Sequence, residues 1–250
     1  MNTKTWIIFG ALVVAVLGGL ILFSKKDQVE VANVDINQIQ PASEASGNIA
    51  DQVFGNKESK VVLFEYGDFQ CPGCASAAPV IKTLSEKYKD QLAFVFRNNP
   101  LSSMHPNAKA AASSAEAAGL QGKYWEMHDK IYAMQNSWGT LSADKRTDAF
   151  VNYAMEVGVK DIEKLKSDMG SKAVASKISF DLGLGKKAGV TGTPTFMLNG
   201  KKLDQYVKDG AIVASNTDGA KPIWSDQDAF EKLILLPAFK EAGVEIPAQQ

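Results

Sequence analysis

The stretch KVVLFEYGDFQCPGC, residues 60–74, constrains this chain more than any other. Residues 60–69 are dense in β-branched and aromatic side chains, as a buried strand requires. The run leads directly into Cys71 and Cys74, the only two cysteines among 250 residues. Pro72 follows the first of them, and proline suits the first position of a helix, where its missing N–H would be unpaired anyway. Val80, Leu84 and Tyr88 then recur at helical spacing. Pro79 is expected to kink that helix or disturb its first turns. The cysteines therefore lie where a strand hands over to a helix.

The same reading extends along the chain. LAFVFRN (92–98) is a second apolar strand, and residues from about 106 to 187 follow a helical pattern with YWEMHDKIYAM as one stripe. A strand returns at TPTFMLNG (193–200), where NGKKL predicts a tight hairpin. DGAIVASNTDGAKPIW is expected to be a long loop. Ser225 with Asp228 resembles a cap for a last helix, which Pro237 ends or kinks. NIADQVFG is expected to form a helical turn or two before the first strand. A helical block inserted into a small α/β sheet gives one fold with an embedded lid.

Residues 1–26 stand apart. The segment from Trp6 to Phe23 carries no charge, and as a helix rising ~1.5 Å per residue it is about 27 Å long, enough to cross a hydrocarbon core. It ends without a small-residue cleavage site, so it is read as a retained membrane anchor, with the rest of the chain outside the cytoplasm. Residues 27–47 are polar, contain Pro41 and Gly47, and read as a linker. The folded domain is then 48–250, with the helical insertion at about 106–187. The formal net charge of −1 includes Lys4, Lys25 and Lys26, so the remainder is more acidic. No basic stripe favours nucleic acid.

Two thiols three positions apart have three uses. As a staple they close so short a loop that little entropy is removed from the unfolded chain. As half of a zinc site they need two more ligands, and only His105 and His128 are available, 23 residues apart in the sequence. As a redox pair they fit their position. A helix N-terminus stabilises a thiolate at Cys71, and Cys74 lies one turn on, close enough to attack a mixed disulfide formed there.

EYGDFQCPGC, taken with GVTGTPTFMLNGKKL (189–203), resembles the thioredoxin superfamily. More closely, the chain is similar to the DsbA-like thiol–disulfide oxidoreductases, in which a helical domain interrupts the thioredoxin fold. GKYWEMHDKIY also resembles the insertion of that group. The resemblance covers about residues 48–236. It implies an α/β fold of thioredoxin type with an inserted helical domain, here preceded by an N-terminal transmembrane helix. It implies that Cys71 attacks, that Cys74 resolves, and that Pro194 is a cis-proline beside them. Thr193 would offer backbone groups to a substrate strand, with Pro72 and Gly73 bordering the same surface. Glu65, six residues before Cys71, would relay a proton to or from Cys74. No cofactor is implied beyond the Cys71–Cys74 disulfide, and no metal.

The implied activity is the introduction of disulfides into exported, reduced or unfolded proteins, with an integral-membrane redox partner to reoxidise the enzyme. Pro72-Gly73 departs from the Pro-His of strongly oxidising relatives, which leaves reduction or isomerisation as an alternative direction. Outside this class stand a membrane-tethered metal-binding module and a redox-inactive binding domain. Asp68 is expected to shape the turn before Cys71. His105, His128, Trp125 and Trp138 are expected to be structural.

Overall fold

The computed structural model describes residues 31–246 together with residues 9, 10, 12–14 and 18. The segment read as a membrane anchor thus falls largely outside the described residues, and among these no helix is long and apolar enough to cross a membrane.

The core is a five-stranded sheet of order β1-β3-β2-β4-β5. Its strands are β1 (Gln52–Gly55), β2 (Val62–Gly67), β3 (Ala93–Asn98), β4 (Thr195–Leu198) and β5 (Lys201–Lys202). β2 and β3 are parallel, joined by helix α1 (Pro72–Lys87), and every other neighbouring pair is antiparallel. Six helices separate β3 from β4: α2 (Ala108–Gly119), α3 (Tyr124–Ala133), α4 (Gln135–Trp138), α5 (Ala143–Glu156), α6 (Ile162–Met169) and α7 (Lys172–Lys187). This is a thioredoxin-like α/β fold with a helical insertion.

Strand alternation sorts the sheet into two faces. Leu63, Phe94, Phe96, Phe196 and Leu198 pack under α1, the insertion and the C-terminal helices. Phe64, Tyr66, Val95 and Met197 pack against Phe180 and Leu184 of α7 on the other side. Glu65 shares the parity of Leu63, so the alternation turns its carboxyl toward α1.

Several local expectations change. Residues 52–55 form a strand, because Gln52, Val53 and Phe54 pair with Phe96, Val95 and Phe94; a sheet edge overrides a weak helical pattern. The helix carrying Pro79 runs unbroken from Pro72 to Lys87. The expected loop 209–224 instead supplies β7 (Ala211–Val213) and β8 (Lys221–Pro222), which pair with β6 (Tyr206–Lys208) in a small sheet. The last helical region is α8 (Gln227–Phe230), a π-helical stretch Glu231–Leu235 and α9 (Leu236–Ala242). Its cap is Asp226, whose carboxylate accepts from the Ala229 N–H at 3.0 Å, rather than Ser225. At Asn199-Gly200 the chain turns with φ of 47° and 78°, the hairpin that the sequence predicts.

Residues 31–47 contain no helix or strand, yet they lie along the second face. Val31, Val34, Ile36 and Ile39 pack against it. Arg97, fully buried, donates to the Ile36 and Gln38 carbonyls at 2.6 and 2.7 Å and to Asp51 at 2.9 Å. Asp51 also meets Lys177 at 2.9 Å, and Lys177 meets Asp181 at 2.6 Å. Removing one partner of a buried ion pair strands the others, at a cost of about 3–5 kcal/mol. Arg97→Leu is therefore expected to lower unfolding free energy by that order, read as a lower urea midpoint.

Candidate active site

Glu65 ends the apolar run of β2, and Gly67 closes the strand. A side chain at Gly67 would overlap the Phe96 ring, so glycine is required where β3 passes. The turn to α1 is built by Asp68. Its carboxylate accepts from the Gln70 N–H at 2.7 Å and the Leu101 N–H at 2.7 Å, and meets His105 Nδ1 at 2.8 Å. Asp68 and His105 thus shape the loop, as expected of them. Cys71 is the residue before the helix, and its carbonyl accepts the first helical bond from Ala75 at 3.1 Å. Gln135 of the insertion also donates to that carbonyl, at 3.0 Å, and to Phe69 O at 2.8 Å.

The structure brings Cys71, Cys74, Glu65, Thr193 and Pro194 into one place. The Thr193–Pro194 peptide is cis. The Cys71 thiol donates to the Thr193 carbonyl at 3.3 Å. Pro72 is exposed beside it and Gly73 half-buried. A Cβ on Gly73 would lie 3.1 Å from Pro194 Cδ and 3.6 Å from the Trp224 ring. Any side chain at 73 would push against the proline, so glycine fits this gap. Trp224, which the sequence gives no signal to select, forms part of the site because the turn Ile223–Ser225 brings it back over α1.

Both cysteines are free thiols, and their environments differ sharply. Hydrogen bonding from the Cys74 thiol, outweighing burial, together with the N–H groups of Cys74 and Gly73, brings the Cys71 thiol down to about 5. Burial pushes Cys74 well above an ordinary thiol, and the nearby Cys71 and Glu65 add to this. Its sulfur accepts from the Asp68 N–H at 3.5 Å. Burial, reinforced by charge on Cys71, raises the Glu65 carboxyl to about 8. One thiolate, one retained thiol and one protonated acid therefore coexist near neutral pH, which is what asymmetric thiol exchange uses.

Among the described residues no group of three or more His, Cys, Asp or Glu is placed to hold a metal. His105 is engaged with Asp68, and His128 lies buried among Phe69, Phe96 and Tyr132. Trp138 is fully buried against Phe150, and Trp125 packs on Phe54 and Phe94.

A family model described as thioredoxin matches residues 47–214. The chain belongs to the thioredoxin family, and the insertion between β3 and β4 gives it the DsbA-like form of that fold. A thioredoxin-like oxidoreductase from Silicibacter pomeroyi DSS-3 is 27% identical, with a TM-score of 0.52 over 76% of this chain and 96% of that one. BdbD from Bacillus subtilis, in oxidised form, shares the fold with a TM-score of 0.60 at 18% identity, over 82% of this chain and 98% of its own. Among curated proteins, Na(+)/H(+) antiporter NhaA 1 of Salinispora arenicola (strain CNS-205) is 36% identical over 152 residues, 61% of this chain. That match spans only 22% of the antiporter's length.

The raised Glu65 carboxyl sets a pH dependence. An acid whose folded value lies above its unfolded one favours the fold at low pH, and that contribution is lost as pH rises from about 4.5 to about 8. Glu65→Gln removes the loss. Its unfolding free energy is expected to overtake that of the reduced parent between pH 5 and 8, by an amount on the order of 4 kcal/mol at about 1.4 kcal/mol per pH unit. Paired urea titrations across this range check it; parallel curves contradict the burial of an uncharged Glu65.

Proposed function

We propose that the chain is a membrane-tethered, extracytoplasmic thiol–disulfide oxidoreductase that introduces disulfides into exported proteins through Cys71 and Cys74. The observation that carries this reading is the placement of Cys71 at the start of α1 and beside the cis Thr193–Pro194 peptide, where the Cys74 thiol and the N–H groups of Cys74 and Gly73 bring its thiol down to about 5, ahead of a buried Cys74 thiol. A substrate thiolate attacks Cys71 Sγ of the oxidised pair, the Cys71–Cys74 bond breaks, and the electron pair leaves on Cys74. A second substrate thiolate then attacks the substrate sulfur of the mixed disulfide and releases Cys71 as a thiolate. Two electrons pass from the substrate dithiol to the enzyme. An integral-membrane redox partner is needed to remove them.

The same charge supports the oxidative direction. A stabilised thiolate favours the reduced pair, so the couple becomes a better oxidant. Against thioredoxin, whose thiol titrates near ~7 and whose potential is about −270 mV, a thiol near 5 raises the potential by several tens of millivolts at pH 7. The hydrogen bonds around Cys71 do this without the histidine that Gly73 replaces. Export and tethering rest on the uncharged segment from Trp6 to Phe23, which is long enough to span a hydrocarbon core.

Equilibration of the full chain in glutathione buffers is expected to give a potential clearly above −270 mV. A value at or below that figure favours reduction over oxidation. Cys74→Ser is expected to accumulate mixed disulfides with exported proteins in cells, since its Cys71 thiolate still attacks substrate disulfides and no Cys74 thiol remains to displace the bound substrate. Absence of any such adduct, with stoichiometric metal on the reduced protein, would point to a metal-binding module instead.

A further inference from the structure

The first turn of α1 has no side-chain cap. Cys71 occupies the capping position with φ −72° and ψ 124°, and its side chain bonds no helical N–H as a cap would. Pro72 follows and brings no N–H, so the first donors of the helix that reach the Cys71 sulfur are those of Gly73 and Cys74. In the backbone, the rotation that separates the sulfur from those donors is ψ of Cys71, since the ring of Pro72 fixes the next φ. Turning about that bond swings the Cys71 carbonyl and α1 while Phe69, Gln70 and the thiol stay behind.

One side chain spans the rotation. Gln135 opens α4 in the insertion, and its Nε2 donates to the Phe69 carbonyl at 2.8 Å and to the Cys71 carbonyl at 3.0 Å. Phe69 lies upstream of the rotating bond, and the Cys71 carbonyl lies downstream of it. Both partners are carbonyl oxygens, so the amide must present its nitrogen, which has one hydrogen for each. The Cys71 N–H donates to Asp68 O at 3.0 Å, and the Cys71 carbonyl also accepts from the Ala75 N–H at 3.1 Å. Each of those two bonds holds one side of the rotation, whereas Gln135 ties the two sides together. Gln70 docks the same loop on the insertion through other groups. Its amide donates to Gly139 O at 2.7 Å and accepts from the Asn107 N–H at 2.7 Å.

We propose that Gln135 is a positioning residue for thiol exchange: by clamping the Phe69 and Cys71 carbonyls from the insertion, it keeps the Cys71 sulfur over the Gly73 and Cys74 N–H groups. The inference rests on the disulfide-exchange reading above. Gln135 acts through the Cys71 backbone and takes neither proton nor electron pair. Hydrogen bonds to a thiolate lower its titration point, and they weaken steeply with misalignment. A looser Cys71 loses part of that stabilisation, and the reduced pair becomes less favoured. The helical insertion thus sets the acidity of a cysteine that belongs to the sheet and α1.

Gln135→Met keeps the length of the side chain and removes the donor. In the reduced full chain its Cys71 titration point, read by thiolate absorbance, is expected to rise by about half a unit to one unit, the worth of one ordinary hydrogen bond felt by the thiolate alone. At pH 7 its equilibrium with glutathione is expected to move by the same factor, about three- to tenfold toward the oxidised pair. Gln70→Met, which loosens the same junction, is expected to lower the urea midpoint and leave the titration point in place. An unmoved titration point in Gln135→Met, or an equal rise in Gln70→Met, makes Gln135 a structural contact and overturns the proposal. If Gln135→Met does not fold, Gln135→Asn keeps the amide but falls one methylene short. It is expected to shift the titration in the same direction by less, and no shift there overturns the proposal as well. A parent protein that exchanges no disulfide with glutathione or a dithiol peptide defeats the functional reading, while the thiolate titration still judges the clamp.

Discussion

The negative charge on Cys71 depends on hydrogen bonds that only this junction supplies. The sulfur faces the first free N–H groups of α1 and the Cys74 thiol one turn on, and it lies against the Thr193 carbonyl from a segment more than 120 residues later. Each comes from a different part of the chain, so the site exists only when β2, α1 and the start of β4 are assembled. Central placement of β2 in the sheet, between β3 and β4, is what allows this. A strand at the edge could not present its C-terminal end to both.

The sheet's two faces divide the electrostatic work. On one, Arg97, Asp51, Lys177 and Asp181 are buried but paired, so the charges are compensated and residues 31–47 are held to the sheet. On the other, Glu65 is buried with no ionic partner among the described residues, and burial pushes its carboxyl up to about 8. A buried acid that meets no cation answers burial by holding its proton. That proton is then available to the equally buried Cys74, whose thiol is itself held far from ionisation. Structural and chemical roles for buried charge thus sit back to back across one layer of strands.

Much of this was legible in residues 60–74 because local signals agree there: a β-rich run, a proline at a helix start and a pair of thiols. The hairpin at Asn199-Gly200 was legible for the same reason, since its conformation is set by two residues. Where tertiary contact decides, the sequence misled. Residues 52–55 become a strand because β3 offers an edge, and the turn-rich stretch 209–224 pairs with β6. Residues 31–47 read as a linker because their anchors, Arg97 and Lys187, lie far along the chain. Trp224 carries no motif, and only folding brings it to the cysteines. His128 was read as packed, and it is.

The central claim is that the fold keeps Cys71 as a thiolate while Cys74 stays protonated. Ultraviolet absorbance of the thiolate in the reduced protein, titrated from pH 3 to 9, tests it most directly. The structure predicts one transition near 5, lost when Cys71 is replaced and retained when Glu65 is replaced by glutamine. A single transition near the ordinary thiol value of 9 would contradict the account.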